Sequence, residues 1–97
     1  MKRIQIIYED DLNDVDIIAI PNYLCDSIYQ LAQLFLHWIP PENDKNGWVR
    51  INGQRVMSKE TVGFVTWLSK NYCQDGDKAY IINQHTNYCD DLDFLEF

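Results

Sequence analysis

What most limits the folds open to this chain is an apolar stripe fenced by prolines. Leu24, Ile28, Leu31, Phe35 and Trp38 recur at steps of four, three, four and three, and Ala32, Leu36 and Ile39 widen the stripe. Asp26, Gln30, Gln33 and His37 fall largely off it. That period predicts an amphipathic α-helix from Leu24 to Ile39 with one broad apolar face. Pro21 suits its start, and Asn22 is a candidate N-cap. Pro40 and Pro41 end it, because proline lacks the amide hydrogen and biases its predecessor away from the α region. A face that broad must be buried against a second layer of structure.

The segments around the stripe supply that layer. KRIQIIYE, residues 2–9, is β-branched and aromatic, with Ile4, Ile6 and Tyr8 on one face and Arg3, Gln5 and Ile7 on the other. A polar link leads to VDIIAI, Val15 to Ile20, and two such runs predict an antiparallel hairpin. Pro21 stops the second strand, since it cannot donate to a ladder. PPENDKNG, residues 40–47, reads as a loop. WVRI and QRVM flank Asn52-Gly53, the residue pair that a type I′ hairpin turn favours. Ser58 and Thr61 open a second helix through about Tyr72, with Val62, Val65, Leu68 and Tyr72 as its expected buried stripe and Phe64 and Trp67 flanking. Gly63 inside it costs about 1 kcal/mol relative to alanine and is read as close packing. CQDGDK is a turn, AYIINQH (residues 79–85) a strand, TNYCDD a break, and LDFLEF a short final strand or a tail. The order β-β-α-β-β-α-β(-β) predicts an α+β domain over residues 1–97. Its sheet is mostly antiparallel, with both helices on one face.

Composition bears on function. The apolar fraction is 46%, enough for a packed core, and the net charge is −7 from 15 acids and 8 bases. Nucleic acid and anionic membranes are held by clustered Lys and Arg, so neither is the expected partner, whereas a basic protein surface is. Ser27 to Ile39 is well short of the about 20 apolar residues that a membrane helix needs. The odd, scattered cysteines Cys25, Cys73 and Cys89 argue against a secreted disulfide framework and for reduced thiols in the cytoplasm.

The stretch HTNYCDD, residues 85–91, holds the densest potential chemistry. Zinc sites draw on several Cys and His residues, often in close pairs, and His85 with Cys89 is one pair at most. Asp90 and Asp91 raise the pKa of an adjacent thiol, which disfavours Cys89 as a nucleophile. Cys25, in a first helical turn, has the helix dipole in its favour, Asp26 against it, and core packing as its expected role. The acidic run from Asp11 fails the calcium-loop pattern, since its sixth position is Asp16 and its twelfth is Asn22. No glycine-rich phosphate loop or catalytic signature appears. No metal, cofactor or catalytic residue is therefore expected.

Charge is unevenly placed. Glu9, Asp10, Asp11, Asp14 and Asp16 crowd one link, and Asp90, Asp91 and Asp93 stand near the other end of the chain. Lys45, Arg50, Arg55 and Lys59 make residues 45–59 basic. An ordinary solvated surface accounts for much of this. The functional expectation is a docking surface of those eight acids, with Trp48 and Tyr88 as aromatic anchors. It describes an inhibitor, an immunity-type protein or an adaptor for a basic partner. One special case is an inhibitor of a nucleic-acid-processing enzyme, its carboxylates imitating phosphates. The alternatives are a small enzyme or ligand-binding domain using His85, Tyr88 and Cys89, and a structural homodimer formed through a sheet edge.

Overall fold

Strand β1 (Lys2–Ile7) lies antiparallel to β2 (Val15–Ile20), with Ile4 opposite Ile18 and Lys2 opposite Ile20. This computed structural model describes all residues Met1–Phe97. Alternation sends Ile4, Ile6, Ile18 and Ile20 to one face, where all four are buried in the main core. Above them pack α1 (Ile28–His37), which buries Ile28, Leu31, Ala32 and Phe35, and α2 (Thr61–Asn71), which buries Phe64, Val65, Trp67 and Leu68. The architecture is α+β, with both helices against the same face of the sheet.

The apolar stripe beginning at Leu24 is realised in two pieces. Residues Asn22–Ser27 form a 3₁₀ turn that buries Leu24, and the α-helix proper starts at Ile28. The Asn22 side chain makes no cap; Pro21 precedes the turn and its carbonyl takes the Leu24 N–H at 3.0 Å. At the other end Trp38 is already extended, ψ 135°, one residue ahead of the position that Pro40 biases away from the α region, and Ile39 is exposed rather than in the stripe. The second helix is rotated from expectation. Thr61, Phe64, Val65 and Leu68 face inward at helical spacing, while Val62 and Tyr72 are half-exposed. The reason is Tyr8 at the end of β1. Its hydroxyl accepts the orphan Thr61 N–H at 2.6 Å and bonds the Thr61 hydroxyl at 2.5 Å, fixing which side of α2 meets the sheet.

Strands β3 (Trp48–Ile51) and β4 (Gln54–Met57) form a separate two-stranded sheet. Their turn has φ 52° at Asn52 and 80° at Gly53, both in the left-handed region that a type I′ turn requires. Strand β5 (Tyr80–Thr86) pairs antiparallel with β2, and β6 (Phe94–Glu96) pairs parallel with β1, giving the order β5-β2-β1-β6. The final segment is thus a strand, and its parallel pairing interrupts an otherwise antiparallel sheet. Residues 87–93 carry the chain from one edge strand to the other across the face opposite the helices. Gln5, on that face and fully buried, holds the crossing: its amide donates to Cys89 O at 2.7 Å and Leu92 O at 3.0 Å and accepts the Cys89 N–H at 2.9 Å. No helix is long and apolar enough to cross a membrane.

Candidate docking surface

The link between β1 and β2 is built from two successive turns. Tyr8 O accepts the Asp11 N–H at 2.9 Å, and Glu9 and Asp10 between them have φ 51° and 58°. Asp11 Oδ1 then accepts the Asn13 N–H at 3.0 Å, a local Asx turn. These turns hold Glu9, Asp10, Asp11 and Asp14 in solvent with Leu12, itself half-exposed, between them. Residues 87–93 meet this link where Leu12 O accepts the Tyr88 N–H at 2.8 Å. A turn closed by Leu92 N–H to Cys89 O follows and presents Asp90 and Asp91. Two acidic segments remote in sequence are therefore joined by a backbone bond.

The expected acids do not all serve this surface equally. Ion pairs within the chain engage Asp14, Asp75 and Asp93, the last with Lys2 at 2.7 Å, and leave Glu9, Asp10, Asp11, Asp90 and Asp91 uncompensated. Asp16, expected among the docking acids, is 5% exposed and accepts the His85 N–H at 3.1 Å, so a partner cannot reach it as it reaches the others. It is turned inward because the strand period places it on the core face with Ile18 and Ile20, opposite Ile6, and β5 bulges beside it, between the pairs Val15–Thr86 and Ile17–Asn83. Trp48 also departs from the expected role. It lies in the second sheet, its indole donating to Pro41 O at 2.9 Å under the Arg55 guanidinium at 4.6 Å, where it ties the hairpin to residues 40–47. Tyr88 is half-buried and packs edge-on against Phe94, centroids 6.3 Å apart, at the foot of the acidic link.

His85 belongs to this surface through a partner that spacing along the chain could not show. The bulge puts it at φ 56°, with Nδ1 2.7 Å from Asp14 Oδ1 across 71 residues of sequence. The hydrogen bond and charge of Asp14 raise the imidazole pKa above its ordinary 6.5, with Asp16 adding to the effect. Ligand atoms of Asp14, Asp16 and His85 fall within 4.8 Å of one another, and Cys89 is not among them. In that group the imidazole is turned onto Asp14 and Asp16 binds the His85 backbone, so the polar atoms serve each other. His85 is absent from the linings of the clefts beside α1 and α2, and the Cys89 backbone is committed to Gln5. The arrangement is a charged surface with a pinned edge.

One lysine read as part of the basic stretch proves structural. Lys59 donates from Nζ to Phe35 O at 2.7 Å and to Trp38 O, capping carbonyls at the end of α1. It also lies over the Phe35 and Trp38 rings at 4.7 and 5.4 Å, and burial pushes its pKa down. Only a helix end placed beside it by the tertiary fold reveals this role. Comparison with protein-family models, with curated proteins and with solved structures finds no match to the chain.

Proposed function

We propose that this chain is a small acidic interaction protein that docks on a basic protein surface through the β1–β2 link and the turn after Cys89. The observation that carries the reading is the union of Glu9, Asp10, Asp11, Asp90 and Asp91 on segments joined by the Tyr88–Leu12 bond, none of them neutralised within the chain. Uncompensated charge at one site speeds encounter with a basic partner and repels acidic ones. Leu12, exposed amid the acids, offers an apolar anchor of the kind that dominates interface energies when desolvated. The class includes inhibitors, immunity-type proteins and adaptors, and a nucleic-acid-processing enzyme is a fitting target because its own groove is basic.

The test uses the native chain and a Glu9→Lys, Asp90→Lys, Asp91→Lys variant, each immobilised and exposed to extract of its host. A basic protein retained by the native chain, released by high salt and not retained by the variant supports the proposal. Equal retention by both chains, or retention indifferent to salt, refutes it.

A further inference from the structure

A second feature stands apart from the acidic surface. Between the end of α1, residues 40–47 and α2 lies a cleft of about 140 Å³, with Phe35, Trp38 and Trp67 as its aromatic wall. A cavity of that size holds one six-membered ring. Trp67 is only 8% exposed, yet its indole N–H has no hydrogen-bond partner in the chain, and no buried side-chain polar atom is left unpartnered. The indole nitrogen must therefore open to solvent, and Trp67 lines this cleft and the shallower one that adjoins it. A solvent-open donor on a nearly buried side chain that lines an aromatic cleft is available to an acceptor that arrives from outside.

The charges at the rim narrow the ligand class. Asp44, half-buried in the loop, and Lys70, exposed on α2, both line the cleft and do not pair with each other. The Lys59 ammonium, close by, donates to the α1 carbonyls, and its charge also acts on Asp44. A simple cation would be drawn to Asp44 and repelled by Lys70. A simple anion would meet the reverse. A molecule carrying both charges satisfies both walls. We propose that this cleft binds a small zwitterion bearing one flat ring, the chemistry of a free aromatic amino acid. The ring lies against Trp67 and Trp38, the ammonium faces Asp44 and the carboxylate faces Lys70.

The experiment follows the indole N–H resonances of the ¹⁵N-labelled chain during titration with L-phenylalanine, phenethylamine and phenylacetate, with Trp67→Phe assigning the Trp67 signal. The expected result is a saturable shift of the Trp67 signal by L-phenylalanine, with affinity at least about tenfold above either single-charge analogue, as one charge-assisted hydrogen bond provides. Asp44→Asn retains the oxygen that caps Asn46 and should bring L-phenylalanine down to the level of phenylacetate. Lys70→Met, at an exposed position, should bring it to the level of phenethylamine. An unmoved Trp67 signal, equal affinity for all three probes, or indifference to both substitutions would overturn the proposal. None of these residues belongs to the acidic link, so either outcome leaves the docking reading to its own test.

Discussion

Gln5 shows how much one side chain can hold. It is a polar residue in a strand, fully buried, and all three of its hydrogen bonds go to the backbone of the crossing segment. Its alternation to the face opposite the helices follows from the strand period, but nothing local to Gln5 says that residues 87–93 will lie over it. Replacing it with leucine leaves the Cys89 N–H and the Leu92 carbonyl without partners in a partly buried setting, each a cost of about 1–3 kcal/mol, and leaves Cys89 O with the Leu92 N–H alone. The expected outcome is a loss of about 2–4 kcal/mol in urea unfolding, with early amide exchange at β6. Wild-type stability in the variant would mean that the crossing is held by something else. His85 carries the second prediction at this scale. Its folded pKa is raised, so the Asp14 pair contributes stability fully below the unfolded value of 6.5 and loses it as pH rises through the folded pKa. The pair is largely exposed and screened, so melting should move little. A titration of the His85 ring by NMR should show the raised midpoint in the native chain and a downward return in Asp14→Asn. An unchanged midpoint would remove the pair from the account.

At the scale of elements, the stripe from Leu24 to Trp38, the Asn52-Gly53 turn and the hairpin-then-helix order were legible because each depends on neighbours within a few residues. The rotation of α2 was not, since the Tyr8 hydroxyl that sets it comes from a strand 53 residues earlier. The parallel pairing of β6 escaped for the same reason, as three residues carry too little pattern to choose a partner strand. The docking acids were legible as charge, and the burial of Asp16 follows from its strand alternation with Ile18 and Ile20, but the pairing of Asp14 with His85 depends on a bulge in β5 that no local pattern announces. Glycine gives a sharper case. A methyl at Gly63, inside α2, would touch Asn46 O and the Phe35 ring at 3.4 Å, ordinary contact distance. Gly47 stands in a loop where no local pattern demands glycine, yet a methyl there would sit 2.3 Å from the Pro40 Cβ, and a proline ring cannot swing away. The expected result is opposite signs: Gly63→Ala gains up to about 1 kcal/mol from helix propensity, and Gly47→Ala loses about 1–3 kcal/mol from overpacking. Thermal unfolding of the two variants side by side decides this, and a loss at both positions would show that the helix and loop are packed too tightly for any added atom.

For the whole molecule, the question is whether its charge is a cost to the fold or a feature of its surface. A net −7 on a chain of 97 residues repels itself at low ionic strength, and five of the acids without an ion pair, Glu9, Asp10, Asp11, Asp90 and Asp91, lie on two linked segments. Added salt should therefore raise the melting temperature of the native chain. The Glu9→Lys, Asp90→Lys, Asp91→Lys variant is the informative comparison, because each reversal adds two and takes the net charge from −7 to −1. These positions are exposed and free of ion pairs, while Asp11 is passed over because its carboxylate holds the Asx turn and Asp14 because it holds His85. Asp10 is passed over as well, since aspartate tolerates the left-handed φ it occupies better than lysine does. The variant should melt at or above the native temperature in low salt and show a flatter dependence on salt. A stabilised fold that has lost salt-sensitive retention of a basic protein would separate what the charge costs in stability from what it supplies in recognition. If the variant instead unfolds at a lower temperature in low salt, the acids are holding the turns together, and the case for a surface kept charged for a partner fails with them.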